Sequence, residues 1–163
     1  MCWNVCGLNA DKRHIEVRAK FDESQCDIIC MQETKCEFFD WCTIRKNCPK
    51  RFDSFAYAPF VGASGGIIIL WNSSVFEGQL IASQRFGMIV EFKSKHNNET
   101  WTLVSVYGPC QGEERDMFVS WLYKLNIPVL ENWLIVGDFN FIRSQDNRNK
   151  QGGMQRTCSF LMR

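Results

Sequence analysis

The sequence predicts an α/β fold in which a helix, a set of antiparallel strands, a second helix and a final strand follow one another. Three observations predict it. Short apolar runs rich in Ile and Val, at 28–31, 67–71 and 133–136, have the length of buried strands. Between residues 55 and 107, strand-like segments succeed one another across short turns, the pattern of antiparallel pairing. Two stretches, 11–23 and 113–125, read as helices instead. The order mixes α/β and meander character.

Composition bounds the answer. A chain of 163 residues has room for one domain with a real core, and 45% hydrophobic content places it among globular proteins. No apolar run approaches the roughly 20 residues needed to span a bilayer. The N-terminus lacks a basic patch followed by an apolar core, which argues against secretion. Nine cysteines is a high and odd count, but no C-x-x-C pair occurs among them. Zinc ligation is therefore disfavoured, and free thiols in a reducing cytosolic or nuclear compartment are expected. The net charge of +1 does not announce a nucleic-acid binder. Its distribution is uneven, however. Arg143, Arg148, Lys150, Arg156 and Arg163 face Asp146 alone, and Arg45-Lys46 to Lys50-Arg51 forms a second basic island. Such clusters are usually solvated surface; contact with phosphates, for Arg143, Arg148 and Lys150 above all, is the sharper alternative.

Met1 to Val5 reads as a short strand with Asn4 inside it and Gly7 just after, so Asn4 is either a turn-former or an aimed amide. Asp11 to Glu23 carries Ile15, Val17, Ala19 and Phe21 among charges, with Asn9 as a candidate N-cap. Cys26 to Gln32 is a strand that delivers Glu33 at its C-terminal end. That carboxylate is either paired with Lys35 or held ionised and aimed by it, and the two readings are compatible. Phe38 to Phe52 shows no clean period and reads as loop with some helix. Phe55 to Ala58 is a strand, and Ser64-Gly65-Gly66 reads as a tight turn into the strand Ile67 to Trp71. Strands are expected near Val75 to Ala82, Met88 to Lys93 and Trp101 to Tyr107, with His96-Asn97-Asn98 turning between the last two. Tyr107 ends its strand, either as a half-buried interfacial phenol or as a site residue. Glu113 to Leu125 is the best helix. Its acidic first turn suits the helix dipole, and Met117, Phe118, Trp121, Leu122 and Leu125 form a core stripe.

The strand Trp133 to Val136 leads into Gly137-Asp138-Phe139-Asn140. Gly137 would end that strand where a backbone can approach a ligand. On an extended chain Asp138 and Asn140 would leave the same face; a strand followed by an Asx turn looks the same in sequence. Asn4, Glu33, Tyr107 and Asp138 with Asn140 each lie at or just past a strand's end. Gathered on one sheet edge, the two carboxylates would form an oxygen site for Mg²⁺ or Mn²⁺. Amide and phenol donors could grip a phosphate as charge develops on it. Metal-assisted phosphodiester hydrolysis is the chemistry that such a set suits.

The ordered set Trp3-Asn4-Val5-x-Gly7-Leu8, Met31-Gln32-Glu33-Thr34-Lys35, Ser64-Gly65-Gly66, Tyr107-Gly108-Pro109 and Gly137-Asp138-Phe139-Asn140 resembles the endonuclease/exonuclease/phosphatase family. It is most similar to the endonuclease domain of plant LINE-type retrotransposons, and Cys30 to Lys35 also resembles the apurinic/apyrimidinic-site endonucleases. The resemblance implies a four-layer α/β sandwich with the site at one end, DNA as the partner and linkage to a reverse transcriptase. It implies that Glu33 binds the metal with support from Asn4, and that Lys35 steadies Glu33. Tyr107 would contact the scissile phosphate, Asp138 would orient the attacking water, and Asn140 would bind the phosphate. Two departures stand out. Cys6 takes the place of an acidic residue of the repair enzymes, and the chain stops before the family's Ser-Asp-His motif. The expectation is a single partial domain over 1–163, shortened at both ends and weak or inactive alone. The competing expectations are a non-catalytic remnant of a degenerate element and a small-molecule phosphoesterase of the same family.

Overall fold

The computed structural model describes residues 1–8, 11–61, 64–110, 114–125 and 132–141. In chain order its elements are β1 (Cys2–Asn4), α1 (Asp11–Glu23), β2 (Ile28–Gln32), α2 (Trp41–Asn47), β3 (Ser54–Val61), β4 (Ser64–Trp71), β5 (Phe76–Gln84), β6 (Gly87–Ser94), β7 (Thr100–Tyr107), α3 (Glu114–Lys124) and β8 (Trp133–Asp138). The strands form two four-stranded sheets, ordered β1-β2-β4-β3 and β5-β6-β7-β8. Both are mixed: β1 runs parallel to β2 and β7 parallel to β8, while the other neighbours are antiparallel. Two mixed sheets flanked by helices are the α/β sandwich that the resemblance implied.

Side-chain alternation sorts the apolar residues into three layers. On β2, Ile29 and Met31 point outward and pack with Val17 and Phe21 of α1 and Ile44 of α2. Cys30, between them in sequence, faces the other sheet with Ile69, Met88, Val90, Phe92 and Leu103. A third layer joins Val104 and Val106 of β7 to Phe118 of α3. β4 is covered on both faces, which is why Ile67 to Leu70 reads as one unbroken apolar run. Each such side chain, fully buried, contributes about 1.5–3 kcal/mol.

Several expectations change. Ser64-Gly65-Gly66 is not a turn: these residues open β4 and pair with β3, Gly65 opposite Phe60. The double glycine is explained by positive φ at both positions, +105° and +83°. The stretch 38–52, expected as loop with some helix, does contain one short helix, which Asp40 caps, its Oδ1 accepting from the Thr43 amide at 2.7 Å. Within α1, Val17 and Phe21 are buried but Ile15 is exposed, and Met117 of α3 is half exposed rather than core. Asn9 and Glu113 lie outside the described residues.

Gly137 does not end its strand either. It sits inside β8 with φ +140°, and a Cβ there would lie 1.9 Å from the Val106 carbonyl oxygen of β7. The close approach is to a neighbouring strand, not to a ligand. Gly65 also has positive φ, but open space surrounds it. Gly137→Ala is therefore expected to cost several times more in urea unfolding than Gly65→Ala, for which backbone strain alone costs about 1–2 kcal/mol. Equal losses in the two variants would refute the steric account.

Candidate active site

Parallel pairing places strand ends together. In one sheet Asn4 lies opposite Gln32, so Glu33 emerges beside the end of β1. In the other, Tyr107 lies opposite Asp138. Two hydrogen bonds then join the sheets at this end. Asn4 Nδ2 donates to Asp138 Oδ2 at 2.8 Å, across 134 positions of sequence. Gln32, fully buried, donates from Nε2 to Ser105 Oγ at 2.9 Å.

The loops beyond these ends are held in unusual conformations. Cys6, Glu33, Lys35 and Asn140 all have φ between +51° and +55°, a region costly for residues other than glycine. Backbone bonds hold the first three: Gly7 N donates to Glu33 O at 2.7 Å, Leu8 N to Thr34 O at 3.0 Å, and Lys35 N to Gly65 O at 3.3 Å. The glycines of β4 thus serve as backbone acceptors under the Glu33 loop. After Asp138 the chain is not extended. The Asn140 amide N donates to Asp138 Oδ1 at 3.0 Å, an Asx turn, and Asn140 Nδ2 donates to Gly108 O at 2.6 Å. The Asp138 side chain therefore bonds the Asn140 backbone while the Asn140 side chain turns to Gly108, and the two do not share a strand face.

Charges are paired at close range. Lys35 Nζ lies 3.1 Å from Glu33 Oε1, with the Glu33 side chain one fifth exposed. The Tyr107 phenol is held well above its ordinary pKa, first by burial, then by the charges of Glu33 and Cys110, by a hydrogen bond toward Glu33 and by Asp138. One phenol thus senses both carboxylates. The Cys110 thiol is raised by burial and by Asp138 and Glu33. At neutral pH Tyr107 is a neutral donor between two acids.

The donor set is oxygen-rich. Asn4 gives its amide hydrogens to Asp138 while its Oδ1 accepts from Cys6 N at 3.0 Å, which fixes which end of the amide is which. Among the described residues no three of His, Cys, Asp and Glu converge as a ready metal cage. The Glu33 carboxylate instead fits a hard cation that keeps most of its waters, as Mg²⁺ does; it does not fit zinc. Neither histidine reaches the site. His14 Nδ1 is bonded to Asn47 Oδ1 at 2.6 Å, and His96 lies in the turn between β6 and β7.

A family model described as Endonuclease/Exonuclease/phosphatase family matches residues 1–155. The chain belongs to this family. No curated protein sequence matches it. Solved structures with the same fold include the human Nocturnin catalytic domain with bound sulfate (14% identity, TM-score 0.65, 87% of this chain and 63% of that one). The AP endonuclease LMAP from Leishmania major matches at 17% identity and TM-score 0.61, over 93% of this chain and 57% of that one. D. rerio TDP2, complexed with single strand DNA product, matches at 18% identity and TM-score 0.58, over 86% and 60%. The chain spans less than two thirds of the length of each. Enzymes of this family are hydrolases that generally use divalent metals. Among the described residues no helix is long and apolar enough to cross a membrane.

Of the residues singled out in the sequence, the structure brings Asn4, Glu33, Lys35, Tyr107, Asp138 and Asn140 to one end of the sandwich. Arg143, Arg148 and Lys150 lie outside the described residues. Gln32 and Ser105 carried no sequence argument. The one available signal was a polar Gln closing the apolar run Ile28–Met31, at a position with no solvent to face. Tyr107 is expected to ionise above the ordinary tyrosine range in an ultraviolet pH titration, and Glu33→Gln to lower its pKa. Because the folded pKa is raised, its stabilising effect is complete below about pH 10 and is lost as pH rises toward the folded value. Tyr107→Phe should flatten that alkaline loss of stability in urea titrations; an unchanged slope would refute the assignment.

Proposed function

We propose that this chain takes part in divalent-metal-dependent hydrolysis of phosphodiesters in DNA, as the endonuclease of a LINE-type retrotransposon whose reverse transcriptase is the linked partner. The observation that supports the hydrolytic reading is the meeting of Asn4, Glu33, Tyr107 and Asp138 at one end of the two sheets. The retrotransposon origin rests on the ordered motifs alone, and nuclear or cytoplasmic residence rests on the cysteine content and the N-terminal sequence.

Glu33, with Asn4 beside it, would hold Mg²⁺ or Mn²⁺, which supplies charge neutralisation at the phosphate when bound. Lys35 steadies the Glu33 carboxylate. Asp138 is aimed by the Asn4 amide and the Asn140 backbone N–H, and in that pose it orients the attacking water and draws on its proton. Tyr107, kept neutral, donates to a non-bridging phosphate oxygen. Asn140 keeps one amide hydrogen beyond its bond to Gly108 O, enough for a second donor to the phosphate. With neither described histidine near these groups, hydrolysis by this chain is expected to be slow.

Nicking of supercoiled plasmid in Mg²⁺ tests the proposal. Asp138→Ala should reduce the rate by about 10²–10⁴-fold, the ordinary value of general acid–base help. Glu33→Ala should lose activity with partial recovery at high Mg²⁺. Intact plasmid at high enzyme concentration sinks the nuclease reading. Phosphate release from small phosphoesters without nicking would move the substrate to the phosphatase side of the family.

A further inference from the structure

β1 and β8 end in matching turns. Asn4 Oδ1 accepts from Cys6 N at 3.0 Å, and Asp138 Oδ1 accepts from Asn140 N at 3.0 Å. Each is an Asx turn whose third residue is left-handed, with φ of +51° at both Cys6 and Asn140. The bond from Asn4 Nδ2 to Asp138 Oδ2 joins one turn to the other. Neither third residue is a glycine, so both conformations are unfavourable unless their surroundings hold them.

In both turns a side chain adds to the backbone bonds, and in both it is an arginine from the first turn of a helix. Arg13 of α1 donates to Val5 O from Nε at 3.1 Å and from Nη2 at 2.9 Å, and its guanidinium lies over the Trp3 ring at 5.8 Å. Arg115 of α3 donates from Nη2 to Asn140 O at 2.9 Å and lies over the Phe141 ring at 5.9 Å. About one helical turn further on, each helix buries an apolar residue beside its turn. Val17 lies in the core layer of Val5 and Leu8, and Phe118 meets the rings of Phe139 and Phe141 at 6.3 and 5.5 Å. The arginines are thus aimed from anchored elements. Stability alone does not account for Arg115, whose Nε is buried with no hydrogen-bond partner among the described residues, a costly arrangement by itself.

We infer that Arg13 and Arg115 are positioning residues for hydrolysis. By locking the backbone carbonyls of the paired turns, they keep Asn4 and Asp138 facing each other and hold Asp138 in the pose that orients the attacking water. Neither needs to touch the substrate. The catalytic half of this inference rests on the hydrolytic reading of the site; the clamp on the turns does not.

Amide hydrogen exchange reads the clamp without substrate, and plasmid nicking in Mg²⁺ reads its consequence. Arg13→Met and Arg115→Met keep an apolar stem and lose the donors. Arg115→Met should speed exchange of the Asn140 N–H, and Arg13→Met that of the Cys6 N–H, by roughly 5- to 10-fold, with the core amides of Ile69 and Val104 unchanged. Either variant should lose roughly 10- to 100-fold in kcat for nicking, with KM little altered. Lysine returns one donor, so Arg115→Lys, which replaces one bond, should recover more of the loss than Arg13→Lys, which replaces two. Lys93→Met, an exposed charge loss on β6, should change neither readout. Unchanged exchange at the two turns overturns the clamp, as does equal acceleration throughout the core, the mark of a general loss of stability. Loosened turns with full kcat overturn the positioning role. If the unsubstituted chain does not nick, the hydrolytic reading fails, and the exchange rates still decide the clamp.

Discussion

The bond from Asn4 Nδ2 to Asp138 Oδ2 ties the first strand to the last described one, and with it one sheet to the other. Everything proposed for the site depends on that closure. A sandwich held by apolar packing alone can slide along its interface, because hydrophobic attraction has no direction. A hydrogen bond does. Asn4 to Asp138 at the rim and Gln32 to Ser105 beneath it set the register of the two sheets where Glu33 and Tyr107 must face each other.

Such polar bonds inside a sandwich carry a risk that the structure offsets. A buried amide without a partner costs about 1–3 kcal/mol, so Gln32 must be satisfied on both sides. It is: the Cys2 thiol lies within 3.4 Å of its Oε1 and Ser105 accepts from its Nε2. The surrounding layer of Cys30, Ile69, Met88, Val90 and Leu103 then excludes water from the seam. Packing supplies the free energy and the polar seam supplies the alignment.

The site loops show the same division of labour. Left-handed backbone at Cys6, Glu33, Lys35 and Asn140 is unfavourable by itself, and it persists because neighbouring backbone groups hold each loop. Two carboxylates near one phenol would repel each other in the absence of cations. Lys35 relieves part of that at Glu33, and the two donors on Asp138 relieve the rest. What remains at this end of the sandwich is a set of carboxylate, amide and phenol groups.

Much of this was legible in the chain itself. Apolar runs at 28–31 and 67–70 marked buried strands because burial on both faces leaves no polar alternation; the run at 133–136 marked a strand as well, but one that is only partly buried, with Leu134 48% exposed. The polar residues closing those strands marked the site, because a carboxylate or amide beside a buried strand needs a reason to be there. Three things were not legible. The glycines of 64–66 read as a turn but open a strand, since positive φ appears in either. Gly137 read as room for a ligand, while its neighbour is the Val106 carbonyl of an adjacent strand. Gln32 read as a strand end. Sequence determined which groups the protein brings to bear, since residue type and strand period are local properties. Only the tertiary structure decided which of them meet, because pairing order, sheet register and the bond from Asn4 to Asp138 join positions that no local pattern connects.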